Sequence, residues 1–447
     1  MKISETATAQ VSNDLPKVNR SRPKASPGRL IFMGSLLDEA TTLRWALALA
    51  AEFERHGAAH MHLRIASMER PVSGLRRMAA QASETILLVK PEDAAYLRCR
   101  LFERSHHASF IPVICAGDEP LGNLPGWLRR YQPIIVRGNE DAGVRAVTRR
   151  VLKCRVGLAL SAGSAKGLAH IGVIQVLEEH GIEIDAVAGV SMGAYVGACW
   201  CYGHNGEALE ALAATIKTRK DVLSLTDPVF PPRRGFIRGL KARERVAESI
   251  KHVSFDELVR PLHLVLTDLD TLGATIISEG DVASAVHASL AIPGICEPVT
   301  LNGRRYTDGG TSDPLPVTVL EDLGIERIIA VNTQPSLTDL EALAMDQGKP
   351  DAKRWAGALK ASGMFLNKQL NYFANGNLLD TVMRGLQAAQ VRLIETSGRR
   401  ADVFIHAYPI GTRWYAFDAY AAAIETGRSA ALAQLQALKN LQCHRAS

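Results

Sequence analysis

The stretch from Arg155 to Tyr202 constrains this chain more than any other. An apolar run, Arg155–Leu160, reads as a strand and passes into Ser161-Ala162-Gly163-Ser164-Ala165-Lys166-Gly167. A helix is expected from about Leu168 to His180, with Ile171, Ile174 and Leu177 on one face and Gly181 as its C-cap. Ala186–Val190 then reads as a second strand, broken at Ser191-Met192-Gly193 into a helix from Ala194 to Tyr202. Strand, loop, helix, strand, turn and helix make one right-handed crossover between parallel strands. Both turns then lie at strand carboxyl ends, the edge where open α/β sheets hold ligands.

Gly189-Val190-Ser191-Met192-Gly193 has the G-x-S-x-G pattern of a nucleophile elbow. Such a turn is so tight that side chains at Gly189 and Gly193 would collide, and it is expected to expose the serine above the sheet. The loop Gly163–Gly167 leaves backbone N–H groups converging on one spot, a nest for a phosphate or for the oxyanion of an acyl intermediate. It is not a G-x-x-x-x-G-K-[ST] loop, and it misses the dinucleotide pattern because Ala162 and Ser164 stand where glycines are required. A serine elbow one strand away favours the oxyanion. Tyr306-Thr307-Asp308-Gly309-Gly310 follows the turn-forming Asn302-Gly303. Taken alone, an Asp-Gly pair is a β-turn; with a partner, Asp308 becomes a candidate base.

Oxyanion loop, GxSxG and Asp-Gly-Gly, in that order, resemble the patatin-like phospholipases. The resemblance runs from about Arg155 to Leu435. It takes in Ala169-His170-Ile171-Gly172-Val173 and Ser289-Leu290-Ala291-Ile292-Pro293-Gly294. The wording is most similar to the bacterial branch related to neuropathy target esterase lysophospholipases. The resemblance implies a parallel-sheet α/β sandwich with helices on both faces, preceded by a smaller α/β domain. It also implies a serine–aspartate dyad with Ser191 as nucleophile and Asp308 as base. The oxyanion hole would be the backbone amides of Gly163, Ser164 and Ala165, and Gly309 and Gly310 would shape the aspartate loop. Where the family loop reads Gly-Gly-Gly-x-Arg/Lys-Gly, this chain has Ala162-Gly163-Ser164-Ala165-Lys166-Gly167, so Ser164 must adopt a glycine-like conformation. Lys166 either attracts a lipid phosphate or is a solvated side chain.

The remaining sequence sets the frame. With 47% hydrophobic and 22% charged residues, 447 residues suit two or three globular domains and exclude wholesale disorder. Residues 1–28, with Lys2, Lys17, Arg20, Arg22 and Lys24 against Glu5 and Asp14, read as a disordered basic tail. Residues 29–150 alternate strand-like and helical runs, a small α/β domain without a catalytic cluster. The catalytic domain is expected over 151–440, with a largely helical insertion at about 337–399. The apolar residues of that insertion, among them Met364-Phe365-Leu366, Leu370 and Val382-Met383, serve either as core or as a lid over the site. Seven scattered cysteines read as reduced thiols. Thr6 to Asn13 is polar, and no run of 18 residues is apolar enough to span a bilayer. The expectation is a cytoplasmic protein, at most peripheral to a membrane.

These readings converge on a serine hydrolase of lipid acyl esters, lysophospholipid or phospholipid, needing neither metal nor organic cofactor and binding no nucleic acid; its oligomeric state is not legible. Two rivals stand beside it. One is an α/β-hydrolase with a Ser–Asp–His triad, for which His406 is the serious candidate, with His287 and His444 behind it. The other is a catalytically weak patatin-like module that binds lipid or protein.

Overall fold

A computed structural model describes residues 3–5, 29–58, 60–68, 72–93, 109–117, 125–129, 131–216, 218–347 and 378–442. The chain divides into two compact units between Arg155 and Val156. Both are α/β.

The first unit is a six-stranded sheet of β1 (Ile3–Glu5), β2 (Leu30–Ser35), β3 (His62–Ser67), β4 (Glu84–Val89), β5 (Ser109–Cys115) and β6 (Ile134–Val136), in the order β1-β3-β2-β4-β5-β6. Every pairing is parallel. A parallel sheet must be covered on both faces, and here two apolar clusters do so. Trp45, Leu49 and Phe53 of helix Glu39–Arg55 lie in one, and Leu75 and Ala79 of helix Val72–Gln81 in the other. Ile3–Glu5 forms a strand within the stretch expected to be a disordered tail; the rest of that tail lies outside the described residues.

The second unit holds β7 (Val156–Leu160), β8 (Ala186–Gly189), β9 (Leu262–Asp268), β10 (Ala274–Ile277), β11 (Val299–Leu301), β12 (Arg304–Asp308), β13 (Arg327–Asn332) and β14 (Val403–His406). Their order is β11-β12-β9-β8-β7-β13-β14, with β10 also paired to β9. The sheet is mixed, which corrects the expectation of a parallel one. β8, β7, β13 and β14 run parallel with β9, whereas β10 and β12 pair with it antiparallel and β11 pairs antiparallel with β12. The reason is local: Asn302 and Gly303, both at positive φ, close a tight hairpin between β11 and β12, and tight hairpins join only antiparallel strands.

Helix Ala169–Glu179 and helix Tyr420–Ala433 cross at unusually close range. A Cβ on Gly172 would stand 1.9 Å from the Ile424 carbonyl oxygen, and one on Gly427 1.9 Å from that of Ala169. Only glycine permits that approach. Of the expected insertion, Leu337–Gln347 and Leu378–Gly398 are helices. Val391 and Ile394 of the second are buried, so this part of it packs as core. Residues 348–377, including Met364 to Phe373, lie outside the described residues. Cys115, Cys199, Cys201 and Cys296 are free thiols, whereas Cys154 is disulfide-bonded, which corrects the expectation of reduced cysteines at that position. Spacing along a chain does not tell which cysteines meet in space.

Candidate active site

Sheet register brings the elbow and the Asp-Gly-Gly turn together. β8 and β12 flank β9, Gly189 pairs with Leu264 and Asp308 pairs with Leu266. Two residues beyond Gly189, the elbow has therefore climbed to the level of Asp308, about 10 Å away across one intervening strand. Side chains pointing inward close that gap. Ser191 Oγ donates to Asp308 Oδ2 at 2.6 Å, and both residues are buried.

The elbow has the strain expected of it. Ser191 lies at φ +54°, ψ −119°, at the N-terminus of helix Met192–Tyr202. A non-glycine residue there costs about 1–3 kcal/mol, which the surrounding structure must hold in place. Its N–H donates to Ser289 Oγ at 2.9 Å, and that hydroxyl donates to the Val265 carbonyl at 2.8 Å. A Cβ on Gly189 would stand 2.6 Å from the Gly193 carbonyl oxygen, and one on Gly193 2.4 Å from that of Leu160. Both glycines are thus required by close packing. Ser191 is only 3% exposed, against the expectation of a serine standing free above the sheet. The cause is the neighbouring loop: Gly167 approaches so near that a Cβ on it would sit 2.5 Å from Met192 Cβ.

Asp308 is held from several sides. Its Oδ1 accepts the Gly310 N–H at 2.7 Å, and its own N–H donates to the Ala291 carbonyl at 2.9 Å. Thr267 Oγ1 donates to its carbonyl at 3.0 Å. Gly309 packs on β9, where a Cβ would meet the Val265 carbonyl oxygen at 2.1 Å, and Gln390 Nε2 donates to the Gly310 carbonyl at 3.1 Å. Burial pushes the Asp308 carboxyl up to about 6, against the lowering effect of the Ser191 and Gly310 hydrogen bonds. An acid with that value near neutrality can take up a proton.

The loop after β7 forms a short 3-10 turn, Ser164–Leu168, leading into helix Ala169–Glu179. Ser164 lies at φ +47°, the left-handed conformation that glycine adopts without strain. Gly163 abuts Thr333, where a Cβ would stand 2.2 Å from Oγ1. The amides of Gly163 and Ser164 have no partner among the described residues, but the Ala165 N–H donates to the Trp414 carbonyl at 2.9 Å. Ala165 is therefore committed elsewhere, a correction to its expected place as an oxyanion donor. Lys166 is buried rather than solvated. Its ammonium sits 5.1 Å from the centre of the Tyr408 ring, and burial pulls it down to about 8. His170 is fully buried, with Nε2 donating to the Ser161 carbonyl at 2.9 Å; burial holds it down to about 4, so it stays neutral.

The triad histidines are placed elsewhere. His406 ends β14, separated from β8 by β7 and β13, three strand spacings or about 14 Å. Its nitrogens are engaged: Asn332 Nδ2 donates to Nδ1 at 3.1 Å, and Nε2 donates to Asp339 Oδ2 at 2.7 Å. His287 Nε2 donates to the Arg238 carbonyl at 3.0 Å. His444 lies outside the described residues. Ser289, Gln390 and Trp414 stand in none of the three site motifs, although Ser289 lies in a segment carrying the family resemblance. Among the described residues no group of three or more His, Cys, Asp or Glu could hold a metal ion, and no helix is long and apolar enough to cross a membrane.

The second unit thus carries a strained serine bonded to a buried aspartate beside a glycine-containing turn. Residues 158–321, which include Ser191 and Asp308, match the family model for patatin-like phospholipases, and the chain is a homologue of that family. Its homology extends to the NTE family, bacterial members included. An uncharacterized NTE family protein of Mycobacterium tuberculosis is 38% identical over 182 residues, 41% of this chain and 50% of the relative. Neuropathy target esterase sws of Drosophila melanogaster is 32% identical over 183 residues, 40% of this chain and 13% of that protein. Lysophospholipase NTE1 of Candida albicans is 25% identical over 259 residues, 57% of this chain and 18% of that protein. The chain thus spans about half the length of this mycobacterial relative and less of the other two. At the level of the family, this homology supports a hydrolase acting on lipid esters.

Proposed function

We propose that the second unit, folded as a patatin-like sandwich, is a lysophospholipase or phospholipase working through a Ser191–Asp308 dyad. The observation that carries the reading is the 2.6 Å hydrogen bond between the elbow serine and a buried aspartate poised near neutrality. Asp308 takes the Ser191 proton as Oγ attacks the ester carbonyl. The oxyanion forms beside the Gly163 and Ser164 amides and the N-terminus of helix Met192–Tyr202, where backbone dipoles favour negative charge. Asp308 returns the proton to the departing alcohol, and water then cleaves the acyl-serine by the same route in reverse. Lys166, close to the turn in sequence and buried, is suited to a lipid phosphate.

A fluorophosphonate serine probe tests the reading directly. Covalent labelling of the full chain at Ser191, mapped by peptide mass spectrometry and lost in Ser191→Ala, is expected. A folded protein that does not label is a binding module instead. The triad rival makes a different forecast. His287→Ala and His406→Gln are expected to keep kcat/KM for ester hydrolysis within about tenfold of wild type, since a triad histidine would cost several orders of magnitude. A folded histidine variant as inert as Ser191→Ala would replace the dyad by a triad.

A further inference from the structure

Between β8 and β9 the chain leaves the sheet and builds a projecting hairpin. Val229 N–H donates to the Phe236 carbonyl at 2.9 Å, and Pro228 pairs with Ile237. The tip between them, Phe230-Pro231-Pro232-Arg233-Arg234, is exposed throughout, and Phe230 is 96% exposed. Leu223 on one side and Leu240 on the other are also exposed. A fully solvated phenylalanine on a two-proline turn adds nothing to the core and leaves apolar area in water.

Charge around the tip is strongly one-sided. Residues 217–241 contain seven Lys and Arg but only two acidic residues, in a chain whose whole net charge is +6. Both acids accept local hydrogen bonds. Asp221 accepts from Thr218, and Asp227 accepts from the N–H groups of Gly239 and Leu240 at 2.7 and 2.8 Å. Lys220, Arg233, Arg234, Arg238 and Lys241 are exposed and lack an acidic partner among the described residues. Cations left unpaired around an apolar tip are complementary to an anionic bilayer, whose headgroups take the charges while the interface takes the ring.

The base of the hairpin is tied to the site. Phe236 and Ile237 N–H both donate to the Ile295 carbonyl, and Glu297 N–H donates to that of Ile237. Gly235 lies so close to Cys296 that a Cβ would be 2.4 Å from its carbonyl carbon. The same loop begins at Ala291, whose carbonyl receives the Asp308 N–H and Thr307 Oγ1.

We propose that the Phe230–Arg234 hairpin is the surface on which this protein docks to an anionic lipid bilayer. This deepens the lipid-ester reading by naming the contact that would bring a bilayer to the rim of that site. The exposed ring and leucines favour lipid over nucleic acid, which a purely cationic surface would serve as well.

Full-length protein, Phe230→Ala and Arg233→Glu/Arg234→Glu are compared by sedimentation with vesicles of phosphatidylcholine mixed with phosphatidylserine, and with phosphatidylcholine alone. In parallel, hydrolysis of a water-soluble short-chain p-nitrophenyl ester is followed. Wild type is expected to bind the mixed vesicles in preference. Each variant should weaken that partition about tenfold or more while leaving soluble-ester hydrolysis unchanged. Variants that bind as wild type does, or a wild type that binds neither vesicle, would overturn the proposal. So would variants that lose soluble-ester hydrolysis together with binding, or heparin capture lost only in the charge variant while vesicle binding stays intact. If wild type binds vesicles as expected but cleaves no ester, the docking surface stands and the hydrolase reading fails.

Discussion

Ser191→Ala is expected to lower ester hydrolysis by at least about a thousandfold, because it deletes the atom that forms the acyl intermediate. Asp308→Asn should be comparably inactive: an amide can hold the hydroxyl in place but cannot accept its proton. Stability should move the other way. The carboxylate is buried against the preference of a charge for water, so its folded-state value of about 6 exceeds the ordinary 3.8. In such a case the folded protein binds the proton more tightly than the unfolded chain. The group's stabilising contribution is full below about 4, is lost as pH rises to about 6, and its charge then costs roughly 3 kcal/mol. Asparagine carries no such cost, and Gly310 N–H can still donate to its side-chain oxygen. Asp308→Asn is therefore expected to keep or raise the thermal midpoint at pH 7.5 while losing activity. A clear drop in the midpoint would show that the ionised carboxylate is a structural requirement.

The pH dependence of catalysis follows from the same group. Only ionised Asp308 can accept the serine proton, so kcat/KM should rise with pH through about 6 and level off above it. Below that value about tenfold should be lost per pH unit. His170, held down to about 4, and Lys166, near 8, sit beside the site, and Lys166 gives a way to separate the effects. A basic limb near 8 that disappears in Lys166→Met would belong to recognition of an anionic substrate, whereas the acidic limb should survive that change. An acidic limb at the ordinary carboxylate value, with none near 6, would remove Asp308 as the base.

Local signals made the site's skeleton legible. Gly189 is demanded by the Gly193 carbonyl four residues on, a constraint that a short window contains, whereas Gly193 and Gly309 meet the Leu160 and Val265 carbonyls of other strands and are legible only through the motifs they close. The need for Ser164 to behave as a glycine could likewise be read from one loop, and it lies at positive φ. What could not be read were partners distant in sequence. Ser289, which fixes the elbow amide, is 98 residues from Ser191, and Gln390 reaches Gly310 across 80. Trp414 is still more remote from Ala165, whose amide it occupies, and no periodicity along the chain announces such a bond. The direction of β12 is not legible either: Asn302-Gly303 marks a turn, but the parallel crossover of β7 and β8 suggests one direction for the whole sheet. The burial of Ser191 is a further tertiary effect, made by a loop one strand away.

The crossing of helices Ala169–Glu179 and Tyr420–Ala433 has a consequence in time. Gln175 and Arg428, bonded across it, are 253 residues apart, and the Trp414 carbonyl that fixes the Ala165 amide belongs to the same late segment. A chain emerging from the ribosome acquires its nucleophile long before it acquires the buttress of the neighbouring turn. At about 5–20 residues per second that interval is at least ten seconds or so. During it, the elbow and the Asp-Gly-Gly turn can already exist while the glycine-to-backbone contacts of the two helices cannot. Synthesis itself thus sets a delay on the assembly of the site, and no nascent chain arrested before residue 414 can complete it.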